Sequence, residues 1–206
     1  MAITDAYASV EEYKAVAVHI DAASDDVILT DLLVVSRYME GLLHRFFTND
    51  AAVVNRVYYP SKTASCLYID DVSTLTGLVL KVDTDSDGSF SDETAWTIDT
   101  DFEMWPKNAD KGPEPQPWDQ IVIPSYSTKS PFSPTYPVQV TARFGWPTVP
   151  APVKRACIEL TRILRIESPR ATATFSAEMG TVLGTNARAR NIIDDLTKSY
   201  GKVIFA

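Results

Sequence analysis

The stretch VQVTARFGWPTVPAPVKRACIEL, residues 138–160, reads as a strand, a tight turn and the start of a helix in one unbroken run. Val138, Val140, Ala142 and Phe144 alternate with Gln139, Thr141 and Arg143, the period-2 pattern of a half-buried strand. Gly145 breaks that pattern. Pro147, Pro150 and Pro152 each hold φ near about −65° and lack a backbone donor, so the chain turns or begins a helix there. Val153, Ala156, Cys157, Leu160, Ile163 and Leu164 then follow at helical spacing.

The chain on either side changes texture in the same way. Ser9 with Glu12 matches a capping box and predicts a short helix over 10–18. Ser24 followed by Asp25 and Asp26 marks a second helix start, with acids at the positive end of the helix dipole. A broad apolar stripe runs from Ile28 through Leu32, Val35 and Met39 to Phe46, wide enough to pack on more than one side, and Asn49-Asp50 ends it. From Val53 onward valine, tyrosine, threonine and isoleucine dominate, with Gly, Pro and Asp between them. Strands are expected over 55–59, 66–70, 78–83, 95–98, 102–105, 120–124 and 138–144. Prolines 113, 115, 117, 131, 134 and 137 predict long irregular loops between 106 and 137. Helix returns over 150–167, where Ser168-Pro169 stops it. Residues 170–184 are ambiguous. Residues 187–200 read as a last helix with Ile192, Ile193 and Leu196 on one face, and Val203, Ile204 and Phe205 make an apolar tail. The expected fold is α+β: a helical bundle formed by N- and C-terminal helices, residues 1–50 with 150–206, and an antiparallel β insertion, residues 51–149, in the middle.

Composition sets limits on function. A chain of 206 residues with 45% hydrophobic and 22% charged residues can build a real core. No apolar run approaches membrane-spanning length, and the N-terminus carries no basic-then-apolar signal, so synthesis in the cytosol is expected. Cys66 and Cys157 are too few for a disulfide framework and are read as reduced, buried thiols. Residues 1–110 hold 20 Asp and Glu against 7 Lys and Arg, whereas residues 111–206 hold 7 against 12. Against a net charge of −8, gripping DNA is not the expected task, because phosphate contacts need clustered Lys and Arg. The positive C-terminal part either faces an acidic partner or simply solvates helices.

Three clusters invite chemical readings. Asp83-Thr84-Asp85-Ser86-Asp87-Gly88 resembles the first half of an EF-hand loop, with alternate carboxylates and a glycine for the sharp turn. Its twelfth position is Thr94, with Glu93 one place early, and strand-like flanks favour a hairpin turn. Asp83, Asp85 and Asp87 are therefore a weak metal candidate, and any Ca²⁺ bound there is expected to be weak and structural. Asp99, Asp101 and Glu103 fall at i, i+2 and i+4, the solvent face of an amphipathic strand before they are a catalytic pair. His19 and His44 have no metal-ligand spacing, and no phosphate-binding glycine loop or nucleophile elbow is present. Trp105, Trp118 and Trp146 sit at strand ends or in loops, as core plugs or interface anchors.

Several short motifs, taken in order, are similar to head–tail connector (adaptor) proteins of long-tailed, siphovirus-type bacteriophages. They are the helix ending in Arg45-Phe46-Phe47, the Tyr58-Tyr59-Pro60 start of the β region, the acidic hairpin over 85–90 and Asp101-Phe102 leading to Pro106-Lys107-Asn108-Ala109. The Gly145-Trp146 pair followed by Val149-Pro150 completes the set. The resemblance implies a non-enzymatic virion part without a cofactor, made in the host cytoplasm and located at the head–tail interface. Such proteins form a homo-oligomeric ring with the portal's dodecameric symmetry. The ring sits beneath the portal protein, extends a channel through which DNA passes without sequence-specific binding, and receives a stopper or tail-completion protein. No membrane is involved. Trp146, Arg188, Arg190, Lys198 and Phe205 are the residues expected at the portal or subunit interface. The alternatives are a stopper or tail-completion protein, a Ca²⁺-stabilised β-domain that binds a ligand, and a hydrolase using Asp99, Asp101 or Glu103.

Overall fold

The main regular elements lie among the residues described by the computed structural model, 6–17, 24–167, 181 and 183–202. They are α1 (Val10–Val16), α2 (Asp25–Leu43), β1 (Val54–Tyr58), β2 (Cys66–Val82), β3 (Glu103–Trp105), β4 (Trp118–Val122), β5 (Val138–Phe144), α3 (Ala151–Glu167) and α4 (Ala187–Tyr200). The fold is α+β, and the chain divides into two compact units, residues 1–48 with 149–206 and residues 49–148. Of the ambiguous 170–184 segment, residues 170–180 and 182 lie outside the described residues, as do His19 and the 203–205 tail, and the described residues 181, 183 and 184 are helical.

In the β unit the five strands form one antiparallel sheet in the order β1-β5-β2-β4-β3. Strand β5 realises the alternation of its sequence: Val138, Val140, Ala142 and Phe144 are buried, and the residues between them are half-buried. It pairs with β1 on one edge (Val54 opposite Ala142, Tyr58 opposite Val138) and with β2 on the other (Leu80 opposite Val140, Val82 opposite Val138). The core of this unit is built on that face, from Ile69, Leu80, Phe102, Ile121, Phe132 and the four β5 side chains.

The two strands expected at 66–70 and 78–83 are a single strand of 17 residues. Inward-facing side chains fall at odd positions in its first part (Leu67, Ile69) and at even positions later (Val72, Leu80, Val82). A strand can switch parity only by inserting residues out of register, and the register shift against β4 between Tyr68 and Val72 falls where the parity changes. Further register shifts, against β5, fall between Val72 and Val79, where Gly77 lies at φ 80° and a Cβ on it would come within 3.0 Å of Val53 Cγ1. The broken alternation reads as two strands in sequence because the bulge interrupts the period without ending the ladder. The strand expected at 95–98 does not form. Trp96 makes one bridge to Leu80, and Asp99 turns left-handed at φ 62°. Asp99 and Asp101 consequently lie in a turn, and only Glu103 of the three acids is on a strand.

In the helical unit α2 ends at Leu43, three residues before the end expected from its stripe. His44 caps it in the left-handed conformation, its N–H donating to Glu40 O at 2.9 Å. The turn exposes Phe46 and buries Phe47, which packs edge-on against Tyr7 and Tyr200. Helix α3 presents Val153, Cys157, Leu160 and Leu164 to the interior and packs on α1, α2 and α4. The expected capping box opens α1, and Glu12 also accepts from Lys154 Nζ on α3 at 2.7 Å.

That ammonium, with the Ser9 N–H second, holds the Glu12 carboxyl below its ordinary value. A depressed acid stabilises above its unfolded value and loses that contribution as pH falls through the lower folded value. Lys154→Ala should cost about 0.2–1 kcal/mol at neutral pH, the range for exposed pairs, and nothing in acid below the folded value, read by far-UV circular dichroism in urea. All four tryptophans, 96, 105, 118 and 146, lie in the β unit, so tryptophan fluorescence reports that unit alone. Phe144→Ala should lower the fluorescence-detected stability by about 3–5 kcal/mol, as for other buried Phe truncations.

Candidate functional site

The junction after β5 is built around one glycine and one tryptophan. Gly145 adopts φ 110°, a value that L side chains rarely reach, and its N–H donates to Asp71 O at 2.7 Å. The turn drops Trp146 into the β unit, 4% exposed, with Nε1 donating to Asp71 Oδ2 at 3.1 Å. Within the protomer Trp146 is thus a core side chain that fixes the end of β5 against β2. Trp118 is also buried, whereas Trp105 is 40% exposed.

The basic residues of α4 do not form a single charged face. Asn186 caps the helix, accepting from the Arg188 and Ala189 N–H groups. Arg188 Nη2 reaches Glu159 Oε2 on α3 at 3.0 Å. Glu159 is buried and also accepts from Arg155 at 2.8 Å, with Arg162 at 3.5 Å, so Arg188 joins a cluster of charge around a buried acid while its own side chain stays 62% exposed. Arg190 and Lys198 are exposed, without an ion pair among the described residues, and Asp194 and Asp195 are exposed on the same helix. Phe205 lies outside the described residues.

The sheet offers a surface that the sequence reading did not single out. Strands β1 and β3 are its two edges, and each bears exposed large apolar side chains. Val53, Val54, Val57 and Tyr59 lie on or beside β1, with Tyr59 74% exposed. Trp105 and Tyr126 lie at the β3 edge, where the Tyr126 hydroxyl donates to Glu103 Oε1 at 2.7 Å. The signal available in sequence was Val53-Val54 followed by Val57-Tyr58-Tyr59, whose apolar residues occupy both faces of a strand.

The acidic residues are arranged differently from one another. Asp101 Oδ2 accepts from the Thr97 N–H at 2.9 Å and faces Lys129 Nζ at 3.7 Å. Glu103 accepts from Lys107 and Tyr126, which hold its carboxyl below the ordinary range and so keep it ionised, unsuited to donating a proton. In contrast, Asp83, Asp85 and Asp87 converge, each offering an oxygen within 4.8 Å of the others. Cys157 is buried between α2 and α3, its Sγ 3.5 Å from Ser36 Oγ, and burial pushes its thiol up to about 11. Cys66, read as buried from sequence, is half-exposed at the start of β2, with its thiol also raised, by partial burial and then by Asp119. No helix among the described residues is long and apolar enough to cross a membrane.

With this arrangement in view, the chain was compared with known proteins. No family model matches it, and no curated protein is similar to it. Solved structures are similar. One is a chain in the neck of an empty gene transfer agent particle, computed with C6 symmetry. It is 14% identical, with a TM-score of 0.52 over 97% of this chain and 92% of that one. Another is a chain in the virion of the native gene transfer agent particle, 15% identical, with a TM-score of 0.50 over 99% of this chain and 95% of that one. The fold of this chain, over nearly its whole length, is therefore one found in such a particle.

The thiols give a check on the placement of the two units' cores. With a thiol at about 11, only about 0.1% of Cys157 is thiolate at pH 8. Iodoacetamide at pH 8 should therefore label Cys66 alone in the folded chain and both cysteines in urea, by peptide mass. Rapid labelling of Cys157 without denaturant would contradict its position between α2 and α3.

Proposed function

We propose that this chain is a structural subunit of the neck of a phage-type particle and, within that class, the head-to-tail adaptor. Copies of it close into a ring beneath the portal, extend the DNA channel and receive the stopper or tail-completion protein. The observation that carries this reading is the fold shared end to end with a chain of a gene transfer agent neck, 97% of one covered by 92% of the other. C6 symmetry in that neck is compatible with rings of six or of twelve, and we take twelve, the portal's own order. Helices at both ends of the chain favour the adaptor over the largely β stopper, and their packing is read as a helical bundle that docks on the portal. Arg188, Arg190 and Lys198, all exposed, are the side chains assigned to meet an acidic portal surface.

The lateral contact is assigned to the sheet edges. A ring needs a heterologous interface, in which one surface of a subunit meets a different surface of its neighbour. The β1 edge and the β3 edge are two such surfaces, both with unpaired backbone groups and exposed apolar side chains, and edge strands left open join other strands. An acid-rich chain of net charge −8 suits a channel wall past which DNA slides without being held. No step of this role requires catalysis.

Native mass spectrometry of the full chain, alone and with its portal, should give a closed oligomer in at least one of the two conditions. V57D/Y59A should abolish it while changing the fluorescence-detected stability of the chain by no more than about 0.5 kcal/mol, as for other surface changes. A wild-type chain that stays monomeric in both conditions contradicts the adaptor reading. A V57D/Y59A chain that oligomerises normally contradicts the edge assignment only.

A further inference from the structure

The loop that follows β2 holds a cluster for which the neck role has no use. Asp83, Asp85 and Asp87 bring three carboxylate oxygens within 4.8 Å of one another. Loop N–H groups fix the side chains in this arrangement. Gly88 N donates to Asp83 Oδ2 at 3.0 Å, Asp87 N to Asp85 Oδ1 at 3.3 Å and Ser89 N to Asp87 Oδ1 at 2.7 Å. Ser86 at φ 61° and Gly88 at φ 81° are both left-handed, which folds the loop tightly enough for the three acids to face one another.

The second observation concerns Asp83 alone. It is 1% exposed, and its Oδ1 is buried with no hydrogen-bond partner. A buried carboxylate oxygen without a protein donor is among the costliest states of a polar group, and here two further carboxylates stand beside it. No Lys or Arg pairs with Asp83 among the described residues. Lys81, on the same strand, donates instead to Phe90 O at 2.5 Å. Mutual repulsion and an orphaned buried oxygen are both removed by one cation at the point where the carboxylates meet.

We infer that Asp83, Asp85 and Asp87 bind one Ca²⁺ ion, with loop oxygens and water completing its shell. Ca²⁺ suits the site better than Mg²⁺, because carboxylates of unequal burial on a turn supply a flexible shell of 6–8 oxygens more readily than a rigid octahedron. Glu93 cannot serve as a strong bidentate ligand without leaving Thr84, whose N–H and hydroxyl both donate to Oε1. The affinity should accordingly fall in the weaker range of calcium modules, about 10⁻⁴–10⁻³ M. The ion would fasten more than its own loop. Asp83 N–H donates to Pro137 O at 3.0 Å and Ser86 Oγ to Thr135 O at 3.4 Å, so it ties the Pro-rich segment before β5 to the end of β2. The inference does not rest on the neck reading.

Isothermal titration of the full, EDTA-dialysed chain with CaCl₂ tests it. The expected result is one saturable site per chain and a Ca²⁺-dependent rise in the fluorescence-detected melting temperature. D85N/D87N, whose altered side chains are exposed, should weaken binding at least tenfold and lose that rise, while melting in EDTA at or above the wild-type temperature. Asp83→Asn should also lose binding; should it fail to fold, D85N/D87N decides alone. Absence of saturable binding up to about 10 mM, tenfold above the weakest range expected, overturns the site. So does undiminished binding by D85N/D87N.

Discussion

Strand β5 has to satisfy both of its edges and one of its faces at once. It lies between β1 and β2, so its backbone is paired on either side, and its four alternate side chains form part of the core of the β unit. Seven residues therefore fix where three strands lie, and the parity shift inside β2 follows from them. The first half of β2 pairs with β4 and the second with β5, and inward side chains on both halves must reach the same core. A strand of uniform register would turn one half outward, so the bulge is a consequence of serving two partners. Gly145 and Trp146 end this constraint, with the indole hydrogen-bonded to Asp71 beside the bulge.

The helical unit depends on buried charge to a degree its composition does not advertise. Glu159 gathers three arginines, Asp31 pairs with Arg165, and Glu40 accepts from both Tyr7 and Arg37. Desolvation raises the Glu40 carboxyl, while the Tyr7 hydroxyl and the Arg37 guanidinium favour its ionised form. Such pairs set geometry more than they add stability, because desolvation offsets much of their attraction. Much of the positive excess in the C-terminal part of the chain is thereby used inside the unit. Arg190 and Lys198 are exposed and pair with no acid among the described residues, while Arg155 and Arg188 stay more than half exposed despite their ion pairs.

The elements legible in the sequence were those with an unbroken period. Strand β5 and helix α4 were readable to their ends, because alternation in one and a helical apolar face in the other run without interruption. The C-terminal end of α2 and the unity of β2 were not legible. Each depends on a backbone choice, the left-handed His44 in one case and the bulge between Tyr68 and Val72 in the other, that leaves little trace in hydrophobic pattern. The residues at 95–103 misled for a related reason: alternating acids look like one face of a strand even when a left-handed Asp99 folds them into a turn. At the candidate site, the spacing of Asp83, Asp85 and Asp87 was visible, but the burial of Asp83 depends on neighbours distant in sequence. The role of Arg188 depended likewise on Glu159, 29 residues earlier.

A sheet fastened from the middle, with both edges open and apolar, suits a subunit completed by its neighbours. The most direct test is electron microscopy of the purified chain mixed with the portal of its own particle. The account predicts rings of this chain stacked coaxially on the portal and sharing its symmetry. Portal particles without added density, beside a chain that remains monomeric, would contradict it.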